Sequence, residues 1–415
     1  MSSSTKNPPP PQFKLKQRKR EANAKYEPEV FRDSLLALIP EDLNDISQFA
    51  VILENNAEKL DYKRYGEPFF EIVICGGLIA PGGIIEEDGA RLNPFSIFAA
   101  EDSRESIFAV VDVINKLVRR LKYLQRKLED TLSHLLQYIN KFGEAGPKLS
   151  RAVGMMAAHQ LISLAVLSNT TKEHLVKEGS ALEFVTGVFK AYLEEQSMEN
   201  LSQNMKKIGL DDKLMEFFPL NKRGGEYLAR HFEAEGLKAL VEYDKKRQQQ
   251  ALKEELGQKL TLMFQENKTQ VEIATFLKQQ VAAHSWTEAD VTPLLWQSLI
   301  AAIDWSGRAE QMEPQLVKVL GTWPKVFAMY CQSAKTELLL LTTVQKVCYE
   351  DARFLKHFKA IVANLYEHDV VSEGAILYWF ERGATSHGKT VFLKQLEPFV
   401  QWLKEQEDDD EEDDE

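Results

Sequence analysis

Gly383-Ala384-Thr385-Ser386-His387-Gly388-Lys389-Thr390 has the G-x-x-x-x-G-K-T spacing of a loop that wraps backbone N–H groups around phosphates. That chemistry needs a buried strand before the loop and a helix after it. The preceding residues Ala375 to Phe380 read instead as a helix, with Ile376 and Phe380 at i and i+4 and Ser372 as its N-cap. No strand ending in a magnesium-binding Asp follows. The match is therefore expected to be a polar turn between helices. Other catalytic patterns are weaker still. The eight histidines are dispersed, no H-E-x-x-H or nucleophilic serine elbow occurs, and Cys75, Cys331 and Cys348 are too far apart in sequence for a paired zinc motif. No catalytic residue, metal site or cofactor is expected, and the chain reads as a non-enzyme.

The stronger chemistry is ionic. Two segments combine aromatic residues with carboxylates: Leu365 to Gly383, and Phe392 to Glu415, which ends in nearly pure acid. In the second, Leu396, Phe399, Val400 and Leu403 form an i, i+3, i+4, i+7 stripe that must face a core. Glu397, Gln401, Lys404 and Glu405 then point outward, with Trp402 at the edge of the stripe. In the first, Ile376, Phe380 and Trp379 pack inward, and Glu373 and Tyr378 lie nearer solvent. The bland reading is a terminal helical hairpin with a solubilising tail. The functional reading is a docking surface for lysine-rich partners. Its contact groups would be Glu367, Asp369, Glu373, Glu381, Glu397 and Glu405, the tail acids Glu407, Asp408, Asp409 and Asp410, and the edges of Tyr378, Trp379 and Trp402. Ten tail acids at about 0.2–1 kcal/mol per exposed pair cannot supply tight binding by simple pairing. They can steer a polybasic partner, leaving specificity to the ordered acids and aromatics.

The elements that must position these groups are helices. Leucine and isoleucine recur at three- and four-residue spacing through most of the chain, and no segment alternates convincingly as a strand. Expected helices include Met155–Leu167, Leu182–Leu193, Leu201–Ile208, Tyr227–Val241, Val271–Val281, Val291–Ile303, Met312–Leu320 and Thr336–Val347, with the pattern repeated over Phe354–Leu365. A long helix is expected over about Glu105 to Lys141, with Leu117, Leu121, Leu124, Leu128 and Leu135 at zipper-like intervals. Arg119, Arg120, Lys122, Arg126 and Lys127 lie between those leucines. A DNA-binding zipper keeps its basic segment ahead of the leucines and sustains the heptads. A buried helix of a helical repeat is the better expectation, with a leucine-zipper DNA-binding regulator as the alternative. The glycine-rich piece Gly76 to Gly89 reads as turns.

Charge is uneven over the 415 residues, which carry −12 in all. Residues 1–26 hold a net +6 and residues 404–415 a net −9. An acidic body argues against general nucleic-acid binding. No leader or membrane span is visible, and a cytoplasmic protein is expected. The polar run Lys245 to Gln250 marks a composition shift, since all six tryptophans lie beyond it. The expected organisation is all-α. A disordered basic arm (1–26) precedes a HEAT/MIF4G-like helical-repeat domain (27–245). A second HEAT-like domain (248–403) and an acidic tail (404–415) follow.

These residues resemble a known family. LYEHDVVSEGAILYW (Leu365 to Trp379) and FLKQLEPFVQWLKEQEDDDEEDDE (Phe392 to Glu415) look like the two acidic-aromatic boxes of the two-tryptophan domain. That domain closes eukaryotic translation initiation factor 5, the epsilon subunit of factor 2B, and the factor 5 mimic proteins. QFKLKQRKR (Gln12 to Arg20), EIVICGGLIAPGG (Glu71 to Gly83) and HGKTVFL (His387 to Leu393) resemble the mimics in particular. The resemblance covers essentially the whole chain. It implies docking of lysine-rich segments of the initiation factor 2 beta subunit, contact with the c subunit of initiation factor 3, and a place in the preinitiation complex. Factor 5's GTPase-activating module, with its paired cysteines, has no counterpart here. The implied role is a competitor of factor 5 that makes start-codon choice more stringent, without specific DNA or membrane binding. One position departs: Gly374 stands where relatives usually carry a second glutamate.

Overall fold

A computed structural model describes residues 25–86, 88–306 and 311–412, the side chains of 407–412 excepted. The basic run Lys14 to Arg20 lies outside the described residues. So do the side chains of Glu407, Asp408, Asp409 and Asp410. The chain divides into two units, up to Asp244 and from Lys245 onward.

The first unit contains α1 (Pro28–Leu36), α2 (Ile46–Asn55) and α3 (Tyr62–Cys75), then a small antiparallel hairpin of β1 (Ile79–Ala80) and β2 (Ile84–Ile85). It continues with α4 (Arg104–Arg120), α5 (Leu124–Leu135), α6 (Ala145–Ala158), α7 (Glu173–Glu178), α8 (Ser180–Glu195), α9 (Met198–Ile208) and α10 (Gly225–Ala234). Helix α11 (Lys238–Gln265) contains the division. Packing follows a stacked order: α1 lies on α3, α3 on α5, α2 on α4, α4 on α6, and α6 on α8. In these five pairs a helix packs against the one two ahead, which is how a HEAT-type solenoid builds one continuous core from short repeats. The α6–α8 contact is close enough that a Cβ on Gly154 would sit 2.5 Å from the Val188 carbonyl oxygen. Only glycine fits there.

The second unit has its own core and holds α12 (Gln270–His284), α13 (Glu288–Ala302), α14 (Met312–Leu320), α15 (Pro324–Ala328), α16 (Ala334–Glu350), α17 (Phe358–Glu367), α18 (Glu373–Tyr378) and α19 (Lys389–Glu412). Local chemistry fixes several starts. Thr269 with Glu272, Thr287 with Asp290, and Ser333 with Thr336 form reciprocal capping boxes at α12, α13 and α16.

Four expectations need correction. The helix expected over Glu105 to Lys141 is broken at Leu121–Tyr123, where Leu121 leaves helical geometry at φ −119°, ψ 75°. It ends in a 3-10 segment, Leu136–Lys141. Its leucines Leu117, Leu124, Leu128 and Leu135 are at most 1% exposed within the unit's own core, so no seam remains for a zipper dimer. The helix expected over Met155–Leu167 stops at Ala158, and a 3-10 turn (Leu164–Thr170) follows. Tyr227–Val241 is two helices, separated at Glu235–Leu237, where Gly236 takes φ +80°. The glycine-rich turns also contain strands, since Ile79 pairs with Ile85 and Ala80 with Ile84.

A candidate acidic and aromatic docking surface

The surface is built on α16 to α19. Phe358, Ile361, Val362 and Leu365 turn one face of α17 into the core. That leaves Glu367 at the helix end and Asp369 just beyond it, both exposed. Asp369 takes φ +56°, a left-handed conformation that Asp tolerates better than most residues. Its N–H donates to the Tyr366 carbonyl at 3.0 Å, and the Val370 N–H donates to the Leu365 carbonyl at 2.9 Å. A helix C-terminus carries partial negative charge, so acids there are unfavourable by about 0.3–1 kcal/mol. Stability alone would not put two carboxylates at this place.

Ser372 opens α18, its Oγ accepting from the Ala375 N–H at 3.3 Å. The Ser372 N–H donates to Glu337 Oε2 of α16 at 2.6 Å, which pins the start of α18. Glu373 occupies the first turn, where a carboxylate suits the helix dipole, and is half-buried. Tyr378 is 53% exposed. Trp379 is 0% exposed, its ring 5.0 Å from that of Phe358. Trp379 is therefore a core residue, and its expected role as a contact edge is corrected. The helix then widens into one π-helical turn, Trp379–Gly383, closed by the Ala384 N–H donating to the Trp379 carbonyl at 2.9 Å.

The phosphate-loop spacing falls in the connection to α19. A wholly buried Gln345 from α16 holds it. Its Nε2 donates to the Thr385 carbonyl at 3.0 Å and the His387 carbonyl at 2.8 Å, and its Oε1 accepts from the Thr385 N–H at 3.0 Å. Gly388 takes φ +64°, and a Cβ there would meet Phe392 at 2.7 Å and Tyr349 at 2.9 Å. The loop is packed and its Thr385 N–H is committed to Gln345. A helical turn, not a strand, leads into it. It is not a phosphate cradle.

On α19, Phe392, Leu396, Val400 and Leu403 are buried at 3% or less. Phe399 is half-buried and stacks on Trp402 at 5.6 Å and 17°. Tyr366 of α17 meets both rings nearly edge-on, at 5.8 Å from Phe399 and 6.4 Å from Trp402. Trp402 is 44% exposed, more than any of the other five tryptophans. Glu397 and Glu405 are exposed on the same helix. Glu381 pairs with Lys404 at 3.6 Å. A salt bridge between groups more than half exposed contributes little stability, but it ties the two acidic-aromatic segments together.

The structure thus joins Trp402 to the chain neighbours of Glu367 and Asp369 through Tyr366, and joins Glu381 to α19. Sequence reasoning did not single out Tyr366, and it placed Phe399 only in the core stripe. The signals were local: Tyr366 directly precedes Glu367, and Phe399 lies at i−3 from Trp402.

Comparison with known proteins agrees in both units. The profile of the 5MP1/2 HEAT domain matches residues 15–254, and that of the eIF4-gamma/eIF5/eIF2-epsilon domain, W2, matches residues 336–413. The chain is 32% identical over 397 residues to eIF5-mimic protein 2 of Homo sapiens, covering 95% of this chain and 94% of that one. It is 32% identical over 403 residues to eIF5-mimic protein 2-A of Danio rerio, covering 97% and 96%. With eIF5-mimic protein 1 of Mus musculus it shares 33% over 399 residues, 95% of each chain.

Proposed function

Because the chain belongs to the eIF5-mimic protein family, we propose that it regulates translation initiation as a non-catalytic stand-in for initiation factor 5. Its C-terminal surface docks lysine-rich segments of the initiation factor 2 beta subunit and contacts the c subunit of initiation factor 3. By occupying these sites in the preinitiation complex, in the cytoplasm, it competes with factor 5 and raises start-codon stringency. The observation that carries this reading is the grouping at the end of α17. Two exposed carboxylates, Glu367 and Asp369, stand where the helix dipole disfavours them, beside an aromatic cluster whose Trp402 face is open. Carboxylates attract a lysine ammonium, and an indole face adds about 0.5–1 kcal/mol of cation–π attraction at an exposed site.

The test is a calorimetric titration with a lysine-rich peptide, together with affinity capture from cytosol. The joint variant Glu367→Gln, Asp369→Asn, Trp402→Ala should lose the peptide and both initiation factors while remaining folded by circular dichroism. Binding of the unaltered chain should weaken steeply with salt, as the Debye length shrinks to about 3 Å at 1 M. Undiminished capture by the folded variant would sink the assignment.

A further inference from the structure

Burial explains the leucines of the zipper-like stretch. It does not explain the basic residues set between them. The break at Leu121–Tyr123 turns that stretch into a corner, where the end of α4 meets the start of α5. Arg119, Arg120, Lys122, Tyr123 and Arg126 are all exposed there. Helix α3 lies against the same corner. Its Lys63 places Nζ 5.8 Å from the centroid of the Tyr123 ring, and its Glu67 holds Lys127 at 2.7 Å. Tyr123 remains 41% exposed.

Acids nearby do not neutralise the corner. Arg120 pairs with Glu54 at 3.2 Å, and Arg126 reaches Asp130 only at 3.9 Å with 89% of its side chain exposed. Among the described residues, Lys63, Arg119 and Lys122 have no carboxylate within salt-bridge distance, although Asp61 is near enough to Tyr123 to act on its hydroxyl. Favourable interaction with the α4 dipole accounts for Arg119 and Arg120, which sit in its last turn. It does not account for Lys122 and Arg126, which lie past that end, nor for Lys63 on another helix.

We infer that this corner binds single-stranded RNA, its arginines and lysines holding successive phosphates and Tyr123 stacking on a base. Single-strand sites pair a cationic track with an exposed aromatic face, and both are present here. Arginine suits phosphate because its planar fork donates two parallel hydrogen bonds. An acidic peptide would use the cations but gives the open Tyr123 ring no role. The net acidity of the chain does not oppose this, because phosphate attraction is local within a Debye length of about 8 Å at physiological salt.

The test uses the full chain and a fluorescein-labelled oligouridylate, read by anisotropy at low and moderate salt. The logarithm of affinity should fall with the logarithm of salt at a slope of about −3, as expected for about four phosphates on a single strand. Joint reversal of Arg119, Lys122 and Arg126 to Glu should weaken binding about tenfold or more and flatten the slope. A charge-matched reversal of Lys206, Lys207 and Lys213 to Glu should change affinity by no more than about twofold. Tyr123→Ala should cost about fivefold or more without altering the slope. Circular dichroism confirms that each variant is folded. Absence of RNA binding by the unaltered chain overturns the inference. So does equal loss in the two charge reversals, or binding of a polyglutamate peptide in place of RNA.

Discussion

Trp379 and Trp402 belong to the two acidic-aromatic segments, yet they do opposite work: the first is 0% exposed against Phe358, the second 44% exposed beside Phe399. Replacing each by alanine separates stability from docking. Trp379→Ala should destabilise the second unit by about 3–5 kcal/mol, because a cavity is left where a fully buried ring stood. Trp402→Ala should cost only about 0.5–1.5 kcal/mol, the worth of its ring contacts, while weakening a lysine-rich peptide several-fold. Chemical denaturation and titration on the same samples check both. Equal stability losses would show that the two rings are not differently packed.

Gly374 is exposed in the first turn of α18, and a Cβ built there meets nothing within 4 Å. Gly374→Ala should therefore stabilise the chain by about 0.4–1 kcal/mol, chiefly by restricting the unfolded state. Gly374→Glu should keep part of that gain and add a carboxylate close to Glu373. Affinity for the lysine-rich peptide should rise by about twofold to fivefold, the worth of one exposed ion pair. Thermal melts and peptide titration measure the two effects independently.

Gln345 makes three hydrogen bonds to the loop that carries the phosphate-loop spacing, all from a buried position. Gln345→Ala leaves the Thr385 and His387 backbone groups without those partners. The expected cost is about 2–4 kcal/mol, since each unsatisfied buried polar group costs about 1–3 kcal/mol. Hydrogen exchange at Thr385 should accelerate more than exchange in α13. Lys389→Ala, in contrast, should change neither stability nor any nucleotide response, because Lys389 is an exposed helix-start residue.

The α19 stripe was legible because Leu396, Phe399, Val400 and Leu403 share a face at helical spacing; three of them are buried, and Phe399 is half-buried. Helical spacing turned Trp379 inward and left Trp402 at the edge of its stripe, but it did not show that Trp379 is covered completely, since what covers it is Phe358, a residue from another helix. The Gln345 clamp was invisible for the same reason, its partners lying 40 and 42 positions away. The break at Leu121 carries no proline or glycine to announce it. It follows from the packing of α5 against α3, which periodicity alone cannot report. Helix type was written locally, whereas coverage and register came from contacts distant in sequence.

Glu71 of α3 gives the first unit a pH signature. Burial pushes its carboxyl up to about 7, the Ile79 N–H at 3.1 Å opposes that, and nearby Glu67 and Glu86 add to the rise. The folded pKa thus exceeds the unfolded value, so the folded state binds the proton more tightly. This contribution to stability is fully present below about pH 4.5, where both states are protonated. It is lost as pH rises through 7, when the folded chain must ionise a buried group. The loss should be on the order of 1–3 kcal/mol between those limits. Glu71→Gln keeps an oxygen for the Ile79 N–H but has no proton to lose. It should stabilise the chain above pH 7 and leave it unchanged near pH 4.5. Urea midpoints for the two proteins across this range would diverge toward high pH. Parallel curves would mean that Glu71 titrates as an ordinary surface carboxylate.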